Sequence, residues 1–421
     1  MAELKIKPSQ IKIGYAIKLP CSWMEHPFLA ANFVVENVEQ IDIIHSLSLD
    51  FVFFYPEKSI SQNATAALPS HKPAEVAVEQ DSIIAAREKL LQQKQQRIEA
   101  AKAHRAAFQK TEKAFHQTLG QVKALMQTLA SRPLNAVEDS KVLINQMTQT
   151  ILGAESLVLH VMSNGSQEAH NFHSHSLNVS VLSMLLAEKM GLNEHDVQAV
   201  GMGALFHDIG KIKIPSQITR KKTPLTSPES NLLKMHPRYG VELVDLIAGF
   251  PSSAKVVIEQ HHEYADGTGY PSGLKGESIH PLSRIVTVTN EFDNLCHPVD
   301  EAKARTPHHA LSFMFTHMKT KFHHETLAVF IKLMGIYPPG TIVQLSDGRL
   351  GIVMSSHAAS MTQPEVLIYD PEVPRLEAPL VTLDRDLKIE KVANIREIAP
   401  EIVLYLNPRA QNSYYFDPMQ G

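Results

Sequence analysis

Five short stretches of the chain carry side chains that could bind metal ions. His175 opens an apolar run, and His207-Asp208 sits in Ala204-Leu205-Phe206-His207-Asp208-Ile209-Gly210-Lys211. His236 precedes Pro237, and His261-His262 runs into Glu263-Tyr264-Ala265-Asp266-Gly267-Thr268-Gly269-Tyr270-Pro271. Asn290 lies in Thr287-Val288-Thr289-Asn290-Glu291-Phe292-Asp293. Imidazole is the commonest transition-metal ligand among side chains and binds as the neutral base. Adjacent helical residues point about 100° apart, so His261 and His262 could reach two different ions. His207-Asp208 follows an apolar run and is directed inward, where an unpaired carboxylate is costly. Coordination removes that cost, and the two oxygens of one carboxylate can bridge two cations. With imidazoles completing each shell, the donors suit Fe, Mn, Zn or Ni rather than Ca. Lys211 falls three residues after Asp208 on the same helical face, where an ammonium would attract a metal-bound phosphate. Singly, each feature has a plain reading: a surface His pair before a turn, a solvated helix end, a surface lysine. The five together favour a metal centre.

The elements that must hold these residues are mostly helical. At 421 residues the chain is too long for one ordinary domain, and 44% hydrophobic with 20% charged residues reads as soluble and globular. A net charge of −4 gives no reason to expect DNA binding, and no apolar run is long enough for membrane insertion. Two cysteines and no signal-peptide pattern point to the cytoplasm. Residues 1–60 read as a small α+β module, with Trp23 in its core. Residues 61–133 read as a linker and a long helix. Ile84, Leu91 and Ile98 repeat every seven residues there, and Ala101, Phe108, Phe115, Val122 and Leu129 continue the repeat with an offset of three. Arg87, Lys94 and Arg105 fall at inward positions of that seam. Either the 76–130 helix makes a homodimer or it packs on its own domain.

Residues 134–335 read as a helical domain. The expected helices are Ala136–Leu152, Ser156–Met162, His175–Met190, Glu194–Ile209, Ser227–Met235, Gly240–Ile247, Ala254–His262, Leu282–Leu295 and Pro307–Met334. Residues 336–405 read as a small β-rich module with a hairpin at Ser346-Asp347-Gly348, and 406–421 as a frayed tail.

Residues 165–335 resemble the HD-GYP family of metal-dependent phosphohydrolases. The matching motifs are His175-Ser176 with Asn178-Val179, His207-Asp208-Ile209-Gly210-Lys211, Ile214-Pro215, Met235-His236-Pro237 with Gly240, and the whole His261 to Pro271 stretch. Leu/Ile-x-x-Gly near residue 14, Trp23, Pro27-Phe28 and a strand ending at Tyr55 resemble a module often found ahead of such domains, for which a protein partner is expected. The resemblance implies a mainly α fold with an HD-type helical bundle. It implies a phosphodiesterase that uses divalent ions, Fe or Mn before Zn or Ni, to hydrolyse cyclic di-GMP to pGpG or GMP. Two ions lower the pKa of a water and clamp both oxygens of an in-line displacement. By carry-over, Asp208 bridges the ions, His175, His207, His236, His261 and His262 are terminal ligands, and Lys211 steadies the phosphate. Gly269 and Tyr270 shape the substrate pocket; a packing role for Tyr270 is the equal alternative.

Three positions depart from the family pattern. Asn290 stands where the family has an aspartate ligand. Asn171 stands where three-metal forms have a glutamate, so two ions are expected. The family's Arg-Pro-Tyr stretch is absent; Cys296-His297-Pro298 is nearby, and Lys303 and Arg305 are the cations left to meet substrate. The alternative function is therefore a degenerate module that binds cyclic di-GMP or a protein partner without turnover. A hydrolase of another nucleotide is a further reading.

Overall fold

The computed structural model describes residues 4–21, 25–28, 32–59, 80–129, 133–152, 158–163, 172–357, 360–371, 373, 378, 380–384, 387–406 and 412–416. Trp23, Asn171 and most of the expected linker lie outside them. The chain divides into two compact units, Met1–Ala103 and His104–Gly421.

In the first unit, β1 (Leu4–Ile6), β2 (Ala16–Lys18), β3 (Asn32–Val34) and β4 (Val52–Phe54) form an antiparallel sheet in the order β1-β4-β2-β3. Helix α1 (Val38–Ser46) starts where the Asn37 side chain accepts the Gln40 N–H, satisfying one orphan donor of the first turn. Ile17, Leu19, Phe28, Val35, Ile44 and Val52 are among the residues filling the core.

Helix α2 (Gln80–Leu129) contains no proline and only one glycine, so nothing interrupts it. Ala86 and Leu90 pack on the first unit's core, and buried Lys94 donates from Nζ to the His26 carbonyl at 2.6 Å. Farther along, Phe115, Val122, Leu125 and Met126 join the core of the second unit. Much of the seven-residue seam is therefore used within the chain, while Ile84 and Leu91 stay exposed.

The second unit is built from α3 (Pro133–Leu152), a strand β5 (Val158–Ser163), α4 (Phe172–Lys189), α5 (Glu194–Phe206), α6 (Ser216–Thr219), α7 (Ser227–Leu233), α8 (His236–Asp245), α9 (Ser252–Gln260), α10 (Pro281–Cys296), α11 (Pro307–His317) and α12 (His324–Met334). Helix α4 is buried on every side, with Leu177, Val179, Val181, Leu182 and Leu185 in the core, and it packs on α5 and α10. Asn193 accepts the Asp196 N–H at 3.0 Å and starts α5 where the sequence places it.

The single helix expected over Pro307–Met334 is two helices, α11 and α12. A turn at Lys319–Lys321 separates them, and its Lys321 carbonyl accepts the Ala265 N–H at 2.8 Å. The break thus serves the loop after His262. The expected helix Ser156–Met162 is also corrected: the described part is β5. Val158 and Val161 are β-branched, and the backbone pairs with β-strands on both sides.

The remaining strands are β6 (Ile342–Leu345), β7 (Leu350–His357), β8 (Ser360–Ile368), β9 (Leu380–Thr382) and β10 (Ile389–Val392), followed by α13 (Pro400–Leu406) and β11 (Asn412–Phe416). The sheet path runs β10-β6-β7-β5-β11, with β8 on β7 and β9 on β8. The tail expected to fray supplies β11, which pairs antiparallel with β5 from Asn412↔Ser163 to Phe416↔Leu159. No helix among the described residues is long and apolar enough to cross a membrane.

Candidate metal centre

Helix ends supply the donors. His175 lies in the first turn of α4, and α5 stops at Phe206, leaving His207 and Asp208 in the bend before the 3-10 turn Ile209–Lys213. His236 begins α8, with Pro237 in the first turn, where a missing N–H costs nothing. His261 follows the last residue of α9.

Hydrogen bonds fix which ring nitrogen faces inward. Nδ1 of His207 lies 2.7 Å from the Ala204 carbonyl, that of His236 2.7 Å from the Leu233 carbonyl, and that of His261 2.8 Å from the Ile258 carbonyl. A carbonyl only accepts, so each Nδ1 carries the proton and each Nε2 presents a lone pair. His175 is set the same way by the Asp293 carboxylate, Oδ2 to Nδ1 at 2.6 Å. The Nε2 atoms then face each other, His175 to His207 at 3.2 Å and His236 to His261 at 3.1 Å. Opposed lone pairs at that distance repel unless a cation lies among them.

Asp208 sits between the two pairs and is 2% exposed. Its Oδ2 lies 3.4 Å from His207 Nε2 and 3.7 Å from His175 Nε2, and it accepts from Lys211 Nζ at 2.6 Å. Its Oδ1 faces His236 Nε2 at 3.2 Å and His261 Nε2 at 3.8 Å, yet makes no hydrogen bond. Two donor groups result, Asp208-His236-His261-His262 and His175-His207-Asp208, each with its ligand atoms within 4.8 Å of one another. An orphaned carboxylate oxygen among inward imidazole lone pairs fits a pair of divalent ions.

Electrostatics agrees with that fit. Burial lowers the pKa values of His236, His261 and His262, so all three rings stay neutral at pH 7, the form in which imidazole can bind a metal. Burial works to raise the Asp208 carboxyl, but the Lys211 ammonium and the His207 ring hold it well below the usual range. The sign for stability follows. An unfolded histidine titrates near ~6.5 and takes up protons the native site refuses, so stability is present above that pH and lost as pH falls. Each buried histidine contributes up to about 1.4 kcal/mol per pH unit. Chelator-treated protein is expected to lose urea resistance steadily from pH 7 to pH 5.5; a flat midpoint across that range would contradict neutral burial.

The stretch after the histidines folds back on itself. His262 and Tyr270 stack with ring centroids 4.5 Å apart, and the Tyr270 N–H donates to the His262 carbonyl at 3.1 Å. Buried Glu263 accepts the Ser272 N–H at 2.6 Å and the Leu274 N–H at 2.9 Å, fastening the far side of the loop. A Cβ on Gly269 would stand 2.4 Å from the Tyr264 nitrogen and 2.5 Å from the His262 carbonyl oxygen, both backbone, so only glycine fits.

Other expected site residues have the following surroundings. Lys303 pairs with Asp300 at 3.2 Å, and the Arg305 guanidinium covers the Phe313 ring at 4.0 Å; neither joins the donor groups. Asn290 is buried on α10, and its Oδ1 accepts from Asn294 at 2.9 Å. Burial works to raise the Asp293 carboxyl, yet His297 and His175 hold it far below the ordinary range, and Asn178 donates to its Oδ1 at 3.0 Å. The supporting roles of Asp293, Asn178, His297 and Glu263 were not assigned from sequence; the one available signal is that Asp293 recurs one turn after Asn290. Asp293→Ala is expected to weaken metal binding about 10–100-fold by freeing the His175 ring, measured by chelator competition. Unchanged affinity would mean that the ring needs no such support.

A family described as HD domain matches residues 133–325, and one described as a domain of unknown function (DUF3391) matches residues 3–140. The chain is 26% identical to cyclic di-GMP phosphodiesterase PA4108 of Pseudomonas aeruginosa, over 87% of this chain and 84% of that protein. It is 39% identical to the cyclic di-GMP phosphodiesterase response regulator RpfG of Xanthomonas campestris, over 32% of this chain and 36% of the relative. It is 30% identical to 3′3′-cGAMP-specific phosphodiesterase 3 of Vibrio cholerae, over 39% of this chain and 35% of the relative. The match thus spans most of the first relative and about a third of the other two.

Proposed function

We propose that the chain is an HD-GYP-type metal-dependent phosphodiesterase hydrolysing cyclic di-GMP to pGpG or GMP, a reading supported by its HD-domain match over residues 133–325 and its cyclic di-GMP phosphodiesterase relatives. The observation that carries the reading is Asp208: one buried carboxylate directs one oxygen at each of two imidazole groups. Bound there, two divalent ions, Fe or Mn in first place and Zn or Ni with the same donors, would supply Lewis acidity and a more acidic water.

The chain's own residues do the rest. The backbone carbonyls behind His207, His236 and His261, and the Asp293 carboxylate behind His175, hold the ligand rings in place. Lys211, beside Asp208, is the cation assigned to the scissile phosphate, where it offsets charge that develops during cleavage. Tyr270, stacked on His262, borders the site and is the aromatic side chain assigned to meet a guanine.

Asn290 favours one other reading, a domain that binds the cyclic dinucleotide or a protein without turnover, because a neutral amide offsets no cationic charge. Purified protein supplied with Mn(II) or Fe(II) and assayed on cyclic di-GMP and 3′3′-cGAMP decides between them. Protein that holds no metal and cleaves neither compound with any added divalent ion overturns the enzyme reading. Cleavage of 3′3′-cGAMP alone overturns the substrate. A cytoplasmic setting fits a chain whose cysteines number only two, Cys21 and Cys296. A homodimer through α2 would use exposed Ile84 and Leu91, and a protein partner is proposed for the first unit.

A further inference from the structure

The two halves that Asp208 joins are unequal. One offers four donors, Asp208, His236, His261 and His262; the other offers three, His175, His207 and Asp208. The nearest carboxylate that could complete the smaller half is Asp293, and it is already engaged. Its Oδ2 holds His175 at 2.6 Å, while Oδ1 accepts from Asn178 at 3.0 Å and faces His297 Nδ1 at 3.0 Å. Asn290, one turn earlier on α10, is a neutral amide whose oxygen accepts from Asn294. Among the described ligand atoms, a single carboxylate therefore serves two dications.

Charge then decides the order. The first ion takes the four-donor half and most of the Asp208 charge. The second meets that ion across one shared carboxylate, with only neutral rings on its own side, and the repulsion is strong in a buried site. Resting on the metal reading above, we propose that the protein loads its ions in sequence, tightly in the His236–His261–His262 half and weakly in the His175–His207 half. The free concentration of the divalent ion then sets how much protein holds a complete centre. His297 has a part in this: by occupying Asp293, it keeps that carboxylate from becoming the missing ligand.

The test is titration of the chelator-treated full chain with Mn(II), followed by dye competition and electron paramagnetic resonance. Two steps at least about tenfold apart are expected, with the spectrum of a lone ion at one equivalent and a coupled pair only in excess. His175→Ala should abolish the second step and leave the first, while Asn290→Asp should narrow the gap between them. Should His175→Ala disturb folding, seen by circular dichroism, Asn290→Asp decides alone. Ions entering as coupled pairs below one equivalent, a first step lost in His175→Ala, or an unchanged gap in Asn290→Asp overturns the ordered loading. A chain that binds no Mn(II) in either step overturns the metal reading itself, a result distinguishable from two equal steps.

Discussion

Asp208→Asn is expected to strip both ions from the protein and lower turnover at least about 10³-fold, because one carboxylate carries the only charge the two donor groups share. The change keeps the side chain's size, so it tests charge and not packing. Asparagine leaves Nδ2 hydrogens among imidazole Nε2 atoms at 3.2–3.8 Å, where they satisfy one lone pair and exclude a cation. Lys211 loses its partner but remains 30% exposed, so water can solvate it and the fold survives. His195, 82% exposed on α5, gives the control, and His195→Ala should leave metal content and rate unchanged. Metal analysis beside a steady-state assay reads the result. An Asp208→Asn protein that retained two ions would remove Asp208 from the centre altogether.

Gly210→Ala is expected to damage the same site from behind. A Cβ there would lie 1.9 Å from the His236 carbonyl oxygen and 2.5 Å from the Gly240 nitrogen. Both are backbone atoms of α8, and neither can rotate away. The first turn of α8 must back off from the 3-10 turn at Ile209–Lys213, taking His236 with it and opening its contact with Asp208. Overpacking of this kind costs about 3 kcal/mol, and a ring displaced from its ion loses about 10–100-fold in affinity. Chemical denaturation and chelator competition on one preparation should show both losses together. Stability falling with affinity intact would place the strain in the turn and not in the ligand helix.

Much of this centre could be read from the chain because its ligands lie at helix ends marked by local signals. Proline after His236, the apolar run before His207 and the glycines after His262 are features of neighbours in sequence. What stayed hidden depends on partners distant in sequence. That Asp293 holds His175 follows from where α10 packs on α4. The break between α11 and α12 was hidden for the same reason, since the Lys319–Lys321 stretch contains no proline or glycine and its carbonyl is claimed by Ala265. β5 was misread because Val158-Leu159-His160-Val161-Met162 suits helix or strand about equally, and pairing with distant β7 and β11 decides it.

That pairing bears on how the chain matures. β5 leaves the nascent polypeptide before α4 and every metal ligand, yet its neighbours on both sides are β7 and β11, the latter made last among the described elements. During synthesis the segment between α3 and α4 is an open sheet edge, a ready template for the wrong partner. Long-range strand pairing is also slow compared with helix packing. The helices and their candidate ligands can therefore gather early, while the β5–β11 pairing forms only after Asn412–Phe416 has emerged. Losing those five residues is expected to leave the two donor groups in place and expose an adhesive edge, a defect of solubility before one of chemistry.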